Sequence, residues 1–363
     1  MSITAIVVNY YAASLLKGVL SDILGHPAVD KVYIVDNSGE VDSSAMENSR
    51  VKIIKPGKNI GFGAGVNLAA EKIKTRFILI VNPDVRLCHG CIDNLLKTAL
   101  DNNAVLTGPR FFWDDKKQFR LPPSQGASSW MDFALASSHV NRLDAEHLSF
   151  YWQLRHQRFW EMHEPFIEFF LSGACVLVDR KWAFQNNNSI FDKRFFLYFE
   201  DNDISVRAMF DNCPPLCVPA AQAVHYYAQS PEPKKGKGSL MEASHRKFKN
   251  KYYDGMTFSF KNSKIFDFDI EDMGQLSSNR GFNLKGLNLK GLNPGGRSYF
   301  EIGVNSVFVP FVQADVACTL GHFNEKMFTI SEDVWERLSK GIYFSRIRDS
   351  IKGTLKIWKW QKI

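Results

Sequence analysis

The first hundred residues alternate short β-rich runs with stretches whose apolar residues recur at helical spacing, and this alternation constrains the fold more than any other feature of the chain. The strand candidates are Thr4 to Val8, Val32 to Val35, Val51 to Ile54 and Phe77 to Val81. The helix candidates are Ser14 to Leu24, Gly65 to Lys74 and Cys91 to Leu100, the last with Leu95, Leu96, Ala99 and Leu100 on one side. Strands alternating with helices predict βαβ units, an α/β fold and a mostly parallel sheet covered by helices on both faces. In such sheets ligands bind outside the carboxyl ends of the strands. The polar residues that end the runs, Asn9, Asp36 and the trio Asn82, Pro83 and Asp84, are therefore where chemistry is expected.

From Phe111 to Phe170 periodicity fades into an aromatic-rich segment with Trp113, Trp130, Trp152 and Trp160. Order returns with a strand at Gly173 to Val178 and an aromatic run entering a helix at Glu200, then short strands at Leu216 to Val218 and Ala223 to His225. Gln229 to Gly238 is turn-rich and cationic and reads as a loop able to close on an anion, followed by a polar helix from Leu240 to Tyr253. These elements predict a first domain over 1–256. Glycine-interrupted, strand-like segments such as Tyr299 to Val312 predict a β-rich second domain over 257–330, in which Asn283-Leu-Lys-Gly-Leu and Asn288-Leu-Lys-Gly-Leu repeat as a hairpin or loop pair. In 331–363, Ile347, Ile351, Leu355 and Trp358 stand at helical spacing among Arg346, Arg348, Lys352, Lys356 and Lys359. A basic amphipathic helix is expected there, either lying in an anionic lipid interface or docked on the β domain.

The 45 Lys and Arg against 38 Asp and Glu give a net charge of +7, which suits an anionic partner such as a nucleotide or lipid headgroup without requiring nucleic acid. No apolar run approaches the roughly 20 residues that cross a bilayer, and the N-terminus reads as an opening strand, so a cytoplasmic protein is expected. The 6 cysteines are expected as thiols, although Cys88 and Cys91 flanking His89, with Cys213 and Cys217, also have spacings compatible with zinc.

Three constellations carry chemistry. Val35-Asp36-Asn37-Ser38 offers a carboxylate that can accept the imide N–H of a uracil or thymine ring, or simply shape a turn. Asn59-Ile-Gly-Phe-Gly-Ala-Gly-Val-Asn67 is a glycine-rich loop opening a helix; it matches neither the dinucleotide fingerprint nor a P-loop, and suggests backbone close to a ligand. Phe77 to Asp84 places a carboxylate just past a buried strand, where Mg²⁺ or Mn²⁺ is commonly held together with diphosphate oxygens. Downstream, Glu200, Asp201 and Asp203 cluster at a helix start beside aromatic residues, as caps or as a general base whose proton affinity apolar walls raise.

Taken in order, Asp36-Asn-Ser, the Asn59 to Asn67 loop, Leu79-Ile-Val-Asn-Pro-Asp84, Leu171 to Val178, Phe195-Phe-Leu-Tyr-Phe-Glu-Asp-x-Asp203 with Arg207, and His225 followed by Ser230 resemble the family 2 inverting glycosyltransferases of GT-A fold. The branch they are most similar to is that of the rhamnosyl- and galactofuranosyltransferases of bacterial polysaccharide assembly. The resemblance spans about Ser2 to Tyr253. It implies that Asp36 holds the donor base with Asn9 and Asn59 nearby, and that Gly61, Asn67, Asn82 and Arg207 serve the nucleotide sugar. It further implies that Asp84 and His225 bind Mg²⁺ or Mn²⁺, and that Asp201 is the catalytic base, with Glu200 and Asp203 beside it. Asn82 stands where many relatives carry the first Asp of a DxD motif.

The expected function is transfer of a sugar from a dTDP-rhamnose or UDP-galactofuranose or UDP-galactose donor to a lipid-linked oligosaccharide acceptor in O-antigen or capsule synthesis. The enzyme is expected at the cytoplasmic face of the inner membrane, held by the C-terminal helix, and a homo-oligomer is compatible with the sequence. The competing readings are an inactive glycan- or nucleotide-sugar-binding protein of the same fold and, last, a nucleotidyltransferase.

Overall fold

The computed structural model describes residues 2–42, 48–227, 236–258, 269–279, 281–284, 287, 297–316, 327–350 and 353–363. Its N-terminal strands β1 (Ile3–Asn9), β2 (Val29–Asp36), β3 (Val51–Ile54) and β4 (Phe77–Val81) are parallel, in the spatial order β3-β2-β1-β4. Side chains alternate across a strand, so Ile3, Ala5 and Val7 of β1 pack on α1 (Ala13–Leu24), while Ile6 and Val8 pack on α2 (Phe62–Ala70). Both faces of β1 are thereby buried, as a parallel sheet requires.

The chain continues through β5 (Val85–Leu87), α3 (Cys91–Asp101), β6 (Leu106–Phe112), β7 (Phe119–Arg120), α4 (Ser129–Ser138), α5 (Arg142–Glu161) and β8 (Phe166–Ile167). β9 (Cys175–Asp179), α6 (Arg180–Asn187), α7 (Glu200–Phe210), β10 (Leu216–His225) and α8 (Lys237–Tyr252) follow. The sheet is mixed overall: β9 enters antiparallel between β4 and β6, so the parallel arrangement is confined to the first four strands and to the β6–β10 and later β11–β17 pairs. The predicted short strands at 216–218 and 223–225 are one strand, β10, whose register slips between Val218 and Gln222 around Pro219.

Next come β11 (Ile270–Leu276), β12 (Phe282–Asn283), β13 (Ser298–Gly303), β14 (Phe311–Asp315), β15 (Met327–Phe328), a short helix at Glu332–Arg337, β16 (Gly341–Asp349) and β17 (Gly353–Lys362). β14 pairs with β7, so β13, β14, β16, β17 and β11 extend the N-terminal sheet edge to edge. Of the two pentapeptide repeats only residues 283, 284 and 287 are described, and most of the expected cationic loop after Gln229 also lies outside the described residues.

The expected terminal helix is not formed. Residues 341–349 and 353–362 are the antiparallel hairpin β16–β17, and Gly353, where β17 begins, has φ +80°, a conformation that a helix does not contain. The apparent helical spacing of Ile347, Ile351, Leu355 and Trp358 straddles this turn. The governing period is two: Trp358 and Trp360 point into the core, and Trp360 Nε1 donates to Ser345 Oγ on the paired strand at 3.0 Å. Lys356 and Lys359, expected to face lipid headgroups or water, instead meet Glu271 and Asp272 of β11 at 2.6 and 3.2 Å. Among the described residues no helix is long and apolar enough to cross a membrane.

Candidate active site

Asn9 and Asp36 close neighbouring parallel strands in direct register, which brings their side chains together at the carboxyl edge of the sheet. Asn9 Nδ2 donates to Asp36 Oδ1 at 3.1 Å, to Ser38 Oγ at 3.1 Å and to Glu40 Oε1 at 3.0 Å. Burial on its own would raise the Asp36 carboxyl, but the amides of Val41 and Gly39 and the side chains of Asn9 and Ser38 outweigh it and hold the group below the usual carboxylate range. Asp36 is thus a permanent anion that shapes its own loop.

Asn37 carries the connection onward: its Nδ2 donates to Gly61 O at 3.1 Å, while its buried Oδ1 has no partner among the described residues. Asn59 Oδ1 accepts Gly61 N at 2.9 Å. Gly61 has φ +89°, and a Cβ there would lie 2.2 Å from the Phe196 carbonyl, which accepts the Phe62 amide at 3.0 Å. The glycine is required for this close approach. Gly61→Ala is expected to lower stability by about 2 kcal/mol, since it combines an unfavourable φ with a backbone clash. Thermal denaturation checks this; an unchanged melting temperature contradicts it.

Past β4, Asn82 N donates to Ala174 O at 2.8 Å. Antiparallel pairing of β5 and β10 sets His225 opposite Val85, and His225 Nε2 lies 3.4 Å from Asp84 Oδ1. The imidazole stacks on Tyr227 with centroids 4.1 Å apart. A carboxylate and an imidazole at the end of a buried strand form a donor set that fits Mn²⁺ or Mg²⁺ when substrate oxygens complete the shell. Among the described residues no group of three or more His, Cys, Asp or Glu is arranged to hold a metal, the cysteine pairs included; the Cys91 thiol interacts with Cys175.

The three acids at the start of α7 separate into three environments. Tyr198 and Phe199, both at φ +68°, swing the chain into the helix in a conformation rare for aromatic residues. This turn presents Asp201: its Oδ2 accepts the Gly173 amide at 3.1 Å, and its Oδ1 accepts the Asn202 amide at 2.8 Å. Asp201 opens on a cavity of about 530 Å³ whose walls include Ser172, Tyr198, Glu200, Tyr227 and His245. That volume suits a sugar-sized ligand.

Glu200 is buried with Oε2 unpaired among the described residues; desolvation first, and the Asp201 carboxylate second, push it up to about 8. It therefore holds its proton at neutral pH. Because the folded pKa lies above the unfolded one, its contribution to stability is complete below about pH 4.5 and is lost as pH rises toward 8. The melting temperature should accordingly decline over pH 5–8, and Glu200→Gln should flatten that slope; an identical slope in the variant contradicts the assignment.

Asp203 is fully buried and bonds Arg207 Nε at 2.9 Å, the Tyr252 hydroxyl at 2.7 Å and Lys251 Nζ, which ties α7 to α8. It does not reach the cavity. Arg207 is occupied by Asp203 and the Ile190 carbonyl. Asn67 spends both ends of its amide on the Phe191 backbone, at 2.8 and 3.0 Å. These three expected site residues are brought into the supporting framework, whereas Asn9, Asp36, Asn59, Gly61, Asn82, Asp84, Asp201 and His225 follow one connected edge. Sequence reasoning missed Tyr227. Its hydroxyl is pushed up to about 12, by desolvation first and then by the Asp201 and Asp84 carboxylates, and its ring stacks on His225 in the wall of the cavity that Asp201 opens on. Its ring keeps 46% of its area accessible because it borders two cavities, so crowding around the hydroxyl, rather than lost area, is what desolvates it. A tyrosine two residues after His225 was the available signal.

Residues 4–184 match the family model described as Glycosyl transferase family 2. The chain carries a family 2 glycosyltransferase domain. The match takes in the candidate site residues from Asn9 to Asp84 and stops before Asp201 and His225, which the geometry above brings to the same edge. Curated relatives from two Mycobacterium tuberculosis strains, CDC 1551 / Oshkosh and ATCC 25618 / H37Rv, are each described as N-acetylglucosaminyl-diphospho-decaprenol L-rhamnosyltransferase. Each is 27% identical over 221 residues, 55% of this chain and 67% of its own length. Three solved structures are also similar. They are GalNAc-T7 with UDP, GalNAc and Mn²⁺ (TM-score 0.44, 13% identity, 62% of this chain and 44% of that one), the mannosyltransferase PcManGT from Pyrobaculum calidifontis with GDP-Man and Mn²⁺ (0.41, 13%, 65% and 59%), and S. aureus TarS 1-349 (0.43, 12%, 62% and 60%). The glycosyltransferase thus spans about half of each of these structures.

Proposed function

We propose that this glycosyltransferase is an inverting enzyme that moves a sugar from a nucleoside diphosphate donor to a hydroxyl of a lipid-linked glycan at the cytoplasmic face of the inner membrane. The observation that carries the reading is Asp201, fixed by the Gly173 amide and open to a cavity also walled by Tyr227, which stacks on His225 beside Asp84. The mycobacterial relatives, named for L-rhamnosyl transfer to a diphospho-decaprenol-linked sugar, favour a rhamnosyl donor over a galactosyl one and a polyprenyl acceptor.

In this mechanism the end of β2 seats the donor base, with Asp36 as the acceptor for an imide N–H. Asp84 and His225 would hold a divalent cation, which when bound supplies positive charge to the departing diphosphate. An Asp201 oxygen takes the proton of the acceptor hydroxyl as that oxygen bonds to the anomeric carbon, and the bond from this carbon to the diphosphate oxygen breaks. A single displacement inverts the centre. Proton NMR of the initial product formed from an α- or β-configured donor tests the reading: opposite anomeric configuration is expected, and retention contradicts it.

A further inference from the structure

Helix α5 is apolar on two opposite faces. Ala145, Leu148, Trp152 and Phe159 are buried on one, while Leu143, Phe150, Tyr151 and Leu154, at matching helical spacing, stand exposed on the other. A helix with a second apolar stripe has a second apolar surrounding. The exposed stripe does not stand alone. Trp130 of α4 meets Tyr151 edge-on at 5.0 Å, and Ile167, Phe169 and Phe210 continue the surface from β8 to the end of α7. Phe169 and Phe210 keep 57% and 73% of their surface accessible. Of these side chains Trp130, Tyr151, Leu154, Ile167, Phe169 and Phe210 line a groove of about 640 Å³, while Leu143 and Phe150 lie outside it. Contiguous exposed apolar surface of this kind marks an interaction site.

The groove adjoins the reaction cavity. Gln125, Met131, Phe159, Glu168 and Phe170 wall both, and Phe170, packed on Gly126, stands between the cavity at Asp201 and the groove between α5 and α7. The exposed Arg158 guanidinium lines the apolar end; it acts electrostatically on Glu168, which Arg155 pairs directly, and makes no direct ion pair of its own among the described residues, so it offers a cation to an anionic group passing there. We infer that this groove seats the isoprenoid chain of a polyprenyl diphosphate-linked acceptor whose sugar reaches Asp201. The inference rests on the reading of Asp201 as the transfer site, and it replaces the absent C-terminal helix as the means of holding a lipid-linked substrate. A ligand with a polar reacting end, a diphosphate and a branched hydrocarbon tail matches, in order, the polar cavity, Arg158 and the aromatic groove.

The test titrates the full chain with geranylgeranyl diphosphate, kept below micelle formation, and with inorganic diphosphate. The isoprenoid compound is expected to bind at least about tenfold more tightly, and Leu154→Glu and Ile167→Glu should each weaken it by about tenfold. Both positions are half-exposed, so the variants should melt as the wild type does and bind UDP and dTDP unchanged. Equal affinity for the two diphosphates, or isoprenoid binding indifferent to both variants, overturns the inference. So does binding to phosphatidylglycerol vesicles free of isoprenoid that the same variants abolish, which makes the patch a membrane face. A dimer that the variants dissociate in light scattering makes it a subunit interface and overturns it equally. If nucleotides bind and the isoprenoid does not, only the groove assignment falls; if the isoprenoid binds and neither nucleotide does, the transfer reading falls instead.

Discussion

Asp201→Asn is expected to lower kcat by about 10³-fold while leaving donor affinity within about twofold of wild type, the range expected when a positioned general base is removed. The substitution is nearly isosteric, and the amide oxygen can still accept the Gly173 N–H that fixes the wild-type carboxylate at 3.1 Å. What disappears is the lone pair that accepts the proton of the acceptor hydroxyl. Steady-state kinetics with saturating donor, together with nucleotide binding by calorimetry, separate the two effects. Turnover within tenfold of wild type contradicts the role of Asp201, whatever happens to affinity.

Glu301→Gln is expected to destabilise the protein by about 3–5 kcal/mol, the cost of leaving buried charge without its counter-ion. Glu301 of β13 has no accessible surface. It accepts Arg346 Nε at 2.6 Å and Arg348 Nε at 2.9 Å from β16, and Gln313 Nε2 at 3.1 Å from β14. Burial would raise its carboxyl, but the two guanidinium groups prevail and hold it below its usual range. Arg346 Nη1 also donates to Ser149 Oγ of α5 at 3.1 Å, so one carboxylate joins the C-terminal strands to the helix that borders the apolar groove. Removing its charge leaves two adjacent buried cations with nothing between them. Denaturant unfolding monitored by tryptophan fluorescence measures the loss, and a change below about 1 kcal/mol contradicts the account.

The parallel strands were legible because each is a short apolar run ended by a polar residue: the bounds of β3 and β4 coincide with the predicted runs. The same rule located Asn9, Asp36 and Asp84, since a polar side chain at the carboxyl end of a buried strand has few structural reasons to be there. Four things were not legible. The roles of Glu200, Asp201 and Asp203 depend on which of three neighbouring directions on a helix faces the cavity, the core or α8, and that is decided by the strained turn at Tyr198 and Phe199. Helix α5 was hidden because two apolar stripes leave no amphipathic signal. The β16–β17 hairpin was taken for a helix because apolar residues on both sides of the Gly353 turn happened to fall at helical intervals, while the decisive alternation of Trp358 and Trp360 spans few residues. The continuity of the sheet through β7 and β14 rests on two paired residues of β7 and leaves no periodic trace.

Calorimetric titration with UDP and with dTDP, each with Mn²⁺ and with chelator, on wild type and Asp84→Ala, tests the central claim most directly. The account predicts that one nucleotide binds wild type with Mn²⁺ at least about tenfold more tightly than with chelator, and that Asp84→Ala removes the difference. Binding of neither nucleotide, or an affinity indifferent to Mn²⁺ and to Asp84, contradicts a donor site built on Asp36, Asp84 and His225.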